Sequence, residues 1–262
     1  MPQKTTEEIL LQIDAPIASI ILNRPAKLNA LTAEMLQGLE DAVDQLENAK
    51  EVRVVLLQAA GEKAFCVGAD INSWSALESQ EMWRWWTRNG NRIFMRLAEL
   101  RQPVIAVLNG YTFGGGLELA LAADLRIAAN TVECAMPETS IATVPGWGAT
   151  FRLPALIGVA RAKELIFTGK RINATTAETW GLFNESVAAD DLQQRALEMA
   201  RQIAANAPLS VQAAKQLLNA TVPPNAGIAL EALAGGLSAT TQDAQEGLAA
   251  FKERRPSDFK GR

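Results

Sequence analysis

The sequence predicts an α/β fold followed by a helical C-terminal region, and three observations carry that expectation. Two buried-strand patterns, RVVLLQ over 53–58 and VIAVL over 104–108, flank a helical pattern from about Glu78 to Leu100, and strands alternating with helices mark an α/β architecture. The first 24 residues hold two alternating apolar runs, Ile9 to Ile13 and Ile17 to Leu22, parted by Asp14-Ala15-Pro16, the pattern of a hairpin. After about residue 155 helix follows helix. A chain of 262 residues is near the limit of a single hydrophobic core, so one main unit is expected over 1–196 with a smaller helical unit over 197–262.

The elements follow in order. From Thr32 to Asn48, Met35, Leu36, Leu39, Val43 and Leu46 share a helical face, Glu40, Asp41, Asp44 and Glu47 take the other, and Thr32 stands as N-cap. The segment Ala64–Ile71 follows a strand and leads into a helix, with Asp70 as a candidate cap. Within the next helical pattern Trp83, Trp86, Ile93 and Leu97 are compatible with one face, which points to core or subunit packing. The strand at 104–108 leads to a glycine-rich turn and an apolar helical run, Leu119 to Leu125. Helices are expected at Ala160–Thr168, Thr176–Gly181, Asp191–Asn206 and Ser210–Asn219, with two more up to Arg254 and one further strand at Glu185–Val187.

Composition narrows the chemistry. A content of 48% apolar and 21% charged residues specifies a folded chain. A net charge of -4 is the wrong sign for a nucleic-acid binder, so any anionic ligand needs a local positive patch. Histidine is absent, which excludes Ser-His-Asp and Cys-His catalysis, histidine metal or haem ligands and an imidazole base. Acid-base work near neutrality falls to carboxylates, lysines, Cys66, Cys134 or Tyr111, carboxylates first. Two cysteines without CxxC spacing make no disulfide framework and no metal site. With no leader pattern and no strongly apolar run of ~18 residues, the expectation is a cytoplasmic protein away from the membrane.

The densest local signal is Asn109-Gly-Tyr-Thr-Phe-Gly-Gly-Gly-Leu-Glu118, between a buried strand and an apolar helix. Consecutive glycines there can serve a tight turn, cradle a phosphate, or present bare N–H groups at a helix N-terminus to an oxyanion. No Gly-Lys-Ser/Thr follows, which weakens the phosphate reading. Glu118 lies one turn into the apolar helix start, where burial would raise its pKa; it can also be a simple first-turn acid. Glu138, in Met136-Pro137-Glu138-Thr139, alone reads as a loop glutamate. Two carboxylates beside a donor-rich turn, in a chain without histidine, point to paired acid-base catalysis next to an oxyanion. A second N–H for that oxyanion can come from Ala69, in the loop before Asp70.

The segments LNRPAKLNAL (22–31), AFCVGADI (64–71), NGYTFGGGLELALAADLRIA (109–128), PETSIATVPGWGATFRLPALIG (137–158) and FTGKRINATTAETWGLFNESV (167–187) resemble the crotonase, or enoyl-CoA hydratase/isomerase, superfamily, and the resemblance runs on to the C-terminal FKGR. It implies a spiral of ββα turns with a C-terminal helical trimerisation region, assembled as a trimer or dimer of trimers. The implied ligand is an acyl-CoA thioester, used without a cofactor, whose carbonyl sits between the N–H groups of Ala69 and Gly115. By resemblance Glu118 deprotonates the water that adds at the β-carbon, Glu138 protonates the α-carbon, and Gly146 is a backbone position near that water. Ala26, Lys27, Leu28, Ala69, Asp70 and Ile71 match coenzyme A-contacting segments. Arg24 and Lys27 would lend charge to the diphosphate, as would Lys260 of a neighbouring subunit; each basic residue also reads as a solvated charge.

The family hosts other reactions. Branches that rely on histidine are disfavoured, and Ile141–Gly148 lacks the acid that a dehalogenase or dienoyl isomerase would want. A Δ3-Δ2 enoyl-CoA isomerase needs only the second glutamate, so Glu118 favours hydration or dehydration. An RNA-binding member of the scaffold is disfavoured by the negative charge and by the lack of a lysine-rich helix. The departures lie around the acyl pocket: Trp147 replaces a small residue, Ala149-Thr150-Phe151 replaces Gly-Thr-Gln, and four of the six tryptophans fall between Trp74 and Trp86. Trp147, with Trp74, is expected to shape the acyl site.

Overall fold

A computed structural model describes residues 7–220 and 224–262. The hairpin is present: β1 (Ile9–Asp14) and β2 (Ile17–Leu22) pair antiparallel with Ile9 opposite Leu22. Alternation buries Ile9, Leu11, Ala18, Ile20 and Leu22, as expected for strands with one face on the core. In α1 (Ala33–Asn48) the whole predicted apolar stripe is buried, and the Thr32 hydroxyl accepts the Met35 N–H at 3.2 Å.

From β3 onward the chain repeats a unit of strand, strand, helix. β3 (Val54–Ala59) and β4 (Ala64–Cys66) are followed by α2 (Ile71–Trp74), α3 (Ser79–Glu81), a π turn over Met82–Thr87 and α4 (Arg88–Glu99). The second unit is β5 (Val104–Leu108), β6 (Tyr111–Phe113) and α5 (Gly115–Ala122), and the third is β7 (Leu125–Ala129), β8 (Glu133–Ala135) and α6 (Ala149–Ile157). There follow α7 (Val159–Thr168), β9 (Ile172–Asn173), α8 (Ala174–Thr179) and β10 (Glu185–Val187). The first strand of each unit enters a six-stranded sheet ordered β1-β2-β3-β5-β7-β10, and the second enters a four-stranded sheet ordered β4-β6-β8-β9. That is the ββα spiral implied by the resemblance.

Three local expectations need correction. The apolar run Leu119–Leu125 is not one helix: α5 stops at Ala122 and Leu125 opens β7. All eight residues of α5 are buried, so no polar face marks its period or its end. Second, Glu185–Val187 is not alone after residue 155, because Ile172–Asn173 pairs with β8. Third, the π turn adds a residue to the helix and divides the tryptophans: Trp86, Ile93 and Leu97 are buried while Trp83 is 65% exposed.

α9 (Leu192–Ala204) runs through position 197 and buries Ala196, Ala200 and Ala204 in the main core. Beyond it, α10 (Pro208–Asn219) is tied to the sheet by Lys215, whose Nζ donates to Asp124 at 2.7 Å and to the Gln102 carbonyl at 2.9 Å. α11 (Pro224–Ala239) and α12 (Gln242–Glu253) complete the described helices. The tail folds back on the core, where Arg53 donates to the carbonyls of Ala204 and Phe259 and Asp243 accepts the N–H groups of Lys260 and Gly261. Among the described residues no helix is long and apolar enough to cross a membrane.

Candidate active site

β6 and α5 meet at Gly114, whose φ of +51° is a conformation that disfavours a side chain. α5 then starts at Gly115, and one turn in stands Glu118, only 2% exposed. Its Oε1 accepts the N–H of Trp147 at 2.7 Å and of Ala149 at 3.0 Å. Burial raises the pKa of this carboxyl, while the N–H groups of Ala149, Trp147 and Gly146 oppose the rise by favouring the carboxylate.

Glu138 opens a short 3-10 turn over Glu138–Ile141. Its Oε1 packs against Gly114, so closely that a Cβ there would lie 2.8 Å away. Its Oε2 is buried without a hydrogen-bond partner among the described residues, a state rare enough in folded proteins to require a reason. Burial above all, and then the neighbouring Glu118 charge, push its pKa up to about 7. The two carboxyls therefore differ: Glu118 is supplied with donors that suit an anion, and Glu138 is placed to hold a proton at neutrality.

Two bare N–H groups lie beside them. A Cβ on Gly115 would sit 3.5 Å from the Ala69 nitrogen, and one on Gly68 would sit 3.3 Å from the Gly115 nitrogen, so the two donors are neighbours. The surrounding main chain is paired, Leu31 N–H to Gly68 O and Asp70 N–H to Leu31 O, yet among the described residues neither Ala69 N–H nor Gly115 N–H meets a protein acceptor. Such a pair, one of them at a helix N-terminus, can stabilise negative charge developing on a carbonyl oxygen.

Asp70 braces this loop. Its Oδ1 accepts the Asn72 N–H at 2.9 Å and its Oδ2 pairs with Arg24 at 2.6 Å, a hydrogen bond that holds the carboxyl below its usual pKa. Arg24 also reaches Glu8 at 3.2 Å and the Ala30 carbonyl at 3.0 Å. The guanidinium read from sequence as available to a diphosphate is thus committed to an internal ion pair.

Ala69, Ile71, Gly115, Glu118, Glu138 and Gly146 all line one cavity of ≈ 290 Å³. Asp70 lies behind its wall. Ala26 and Lys27 belong to a 3-10 turn, and Leu28 follows at φ +52° with its carbonyl accepting the Val67 N–H, which sets this segment beside the loop that carries Ala69. Lys260 does not line the cavity of its own chain; its Nζ pairs with Asp258 at 2.8 Å in the C-terminal tail. Trp74, Met82, Trp86, Thr87 and Trp147 also line the cavity. Thr87 and Met82 went unread in the sequence because the π turn that turns them inward has no periodic signature; the Met-Trp-rich stretch at 82–86 was the available signal.

The family model described as enoyl-CoA hydratase/isomerase matches residues 12–262. The short-chain-enoyl-CoA hydratase of Clostridium acetobutylicum is 37% identical over 257 residues, 97% of this chain and 98% of the relative. The (E)-benzylidenesuccinyl-CoA hydratase of Thauera aromatica is 36% identical, across 97% and 99% of the two chains. The crystal structure of an enoyl-CoA hydratase from Bacillus anthracis superposes with a TM-score of 0.94 at 39% identity, covering 97% of this chain and all of that one. With the ββα spiral, these matches establish that the chain belongs to the enoyl-CoA hydratase/isomerase, or crotonase, family.

Proposed function

We propose that the protein is an enoyl-CoA hydratase, adding water reversibly across the α,β double bond of an enoyl-CoA thioester. The observation that carries this reading is the pairing of two carboxyls of unlike character, the buried Glu118 and the part-buried Glu138, at one cavity beside the bare N–H groups of Ala69 and Gly115. Relatives named as hydratases support it.

In this mechanism the thioester oxygen accepts from Ala69 and Gly115. Glu118, as carboxylate, takes a proton from water as the water oxygen bonds to the β-carbon; the π electrons pass to the thioester oxygen as an enolate. Glu138 gives its proton to the α-carbon and the enolate collapses. Glu118 ends protonated and Glu138 ionised, and solvent exchange resets the pair. Each N–H donor to the enolate oxygen would lower the barrier by about 3–4 kcal/mol. The segments Ala26–Leu28 and Ala69–Ile71 would hold the coenzyme A portion, joined by Lys260 of a neighbouring copy. Exposed Leu233, Leu237, Leu248 and Phe251 on α11 and α12 support self-association through the C-terminal helices.

The test is a panel of enoyl-CoAs, followed by loss of the conjugated thioester absorbance and by product mass. Gain of one water is expected, with Glu118→Gln lowering turnover by about 10³-fold while CoA-thioester binding persists. An isobaric shift of the double bond that survives Glu118→Gln would replace this reading with a Δ3-Δ2 isomerase using Glu138 alone.

A further inference from the structure

We propose that the Trp147 indole is the floor of the acyl site and restricts the enzyme to short enoyl groups. The inference deepens the hydratase reading and rests on it for the direction in which the acyl chain runs.

Trp147 is 3% exposed and lines the same cavity as both glutamates. Its seat is made by residues from three elements. The ring edge lies against Gly115, where a Cβ would come within 2.8 Å of Cε3 and Cζ3. Its pyrrole edge lies against Gly90 of α4, where a Cβ would overlap Nε1 outright. Trp86 and Phe94 close the remaining sides with ring centroids at 5.3 Å each, Phe94 edge-on. The loop beneath it is tied down by Asn91, whose side-chain amide donates to the Gly146 carbonyl.

A large ring wedged between Gly90, Gly115, Trp86 and Phe94 is hemmed in on those sides, so it acts as a fixed wall where it meets the cavity. With the thioester oxygen at Ala69 and Gly115 and the reacting carbons at the two carboxyls, the remainder of the acyl chain continues inward toward Trp86 and Trp147. The cavity of ≈ 290 Å³ must hold the thioester, the reacting water and the rest of the acyl chain, so a ring fixed in its wall sets how far that chain can run. Gly90 is shaped by the same fit. It has no conformational need for glycine, its φ not lying in the left-handed region, so what it supplies to the seat is room for the indole.

The experiment compares the parent, Trp147→Ala and Trp147→Phe on crotonyl-, hexenoyl- and decenoyl-CoA, and measures binding of saturated butyryl-, hexanoyl- and decanoyl-CoA to each. The parent is expected to lose at least about tenfold in kcat/KM from the four-carbon to the ten-carbon substrate, and Trp147→Ala to recover at least about tenfold of that loss. Parallel profiles in parent and variant, or a parent indifferent to length, overturn the inference. If no enoyl-CoA is hydrated, the hydratase reading fails by itself, and the saturated thioester affinities decide the floor by the same criterion. If Trp147→Ala does not fold, Trp147→Phe is judged identically, with a smaller recovery expected.

Discussion

Glu118 Oε1 accepts the backbone N–H of Trp147 at 2.7 Å, so the residue whose indole walls the cavity also orients, through its main chain, the carboxylate beside it. Side chain and main chain of Trp147 thus have separable roles. Replacing the indole leaves the N–H that aims Glu118, and this is why substitutions at Trp147 can report on acyl shape without removing a base. The same loop supplies a second donor from Ala149 at 3.0 Å. Among the described residues no other residue donates to the Glu138 carboxyl, and its buried Oε2 is unpartnered. In a chain without histidine, the proposed assignment of base and acid rests on this contrast.

The first prediction concerns pH and rate. Hydration consumes the state with Glu118 ionised and Glu138 protonated, and dehydration consumes the opposite tautomer, so both directions need one proton shared by the pair. Burial raises the pKa of both carboxyls, that of Glu138 to about 7, so the pair can keep that proton near neutrality. kcat/KM is expected to fall as pH rises through and beyond that value, with the same alkaline limb in both directions. Rates measured both ways between about pH 5 and 9 check this; a flat profile refutes the shared proton.

The second prediction concerns stability at Glu138. Burial raises its folded pKa from 4.5 to about 7, so within that window the native state keeps a proton the unfolded chain has released, and stability declines as pH rises. Above it the native state is less stable by roughly 3 kcal/mol. Glu138→Gln removes the titration. Denaturant unfolding should show the variant similar to the parent near pH 4 and more stable near pH 8 by roughly that amount. An equal difference at both pH values would show that burial of the charge is not the cause.

These contrasts explain what could be read from the sequence and what could not. The glycine turn and Glu118 are contiguous, so they stood out together as a candidate site, whereas Glu138, a loop glutamate when taken alone, gained meaning only beside them. The strands β4, β6, β8 and β9 have two or three residues each; such segments are too short for an alternating pattern and are defined by partners distant in sequence, as when Phe113 meets Ala135. α5 is buried all round, so its end at Ala122 left no periodic mark. The seat of Trp147 joins Gly90, Gly115 and Phe94 through space, and nothing local to any of them signals the contact. Chemistry carried by neighbours in the chain was legible; shape made by tertiary contact was not.

The third prediction tests that tertiary contact together with the N–H pair. Gly115 is the first residue of α5, where alanine suits the helix better than glycine, so backbone preference alone forecasts a neutral or stabilising Gly115→Ala. Packing forecasts the reverse. The new methyl would lie 2.8 Å from the Trp147 ring and 3.5 Å from the Ala69 nitrogen, and the indole cannot retreat because Gly90 already abuts its far edge. The start of α5 must then shift, and with it the spacing of the Ala69 and Gly115 donors. Gly115→Ala is expected to lower stability by about 1–3 kcal/mol and kcat by about 10²–10³-fold, the cost of disturbing an oxyanion donor. Adding Trp147→Ala makes room for the methyl, so the double variant should regain much of the lost kcat on crotonyl-CoA relative to Gly115→Ala alone, a non-additive cycle characteristic of residues in contact. Purely additive losses would show that the methyl acts on the N–H pair directly, and a parent-like kcat in Gly115→Ala would remove Gly115 from the proposed oxyanion site.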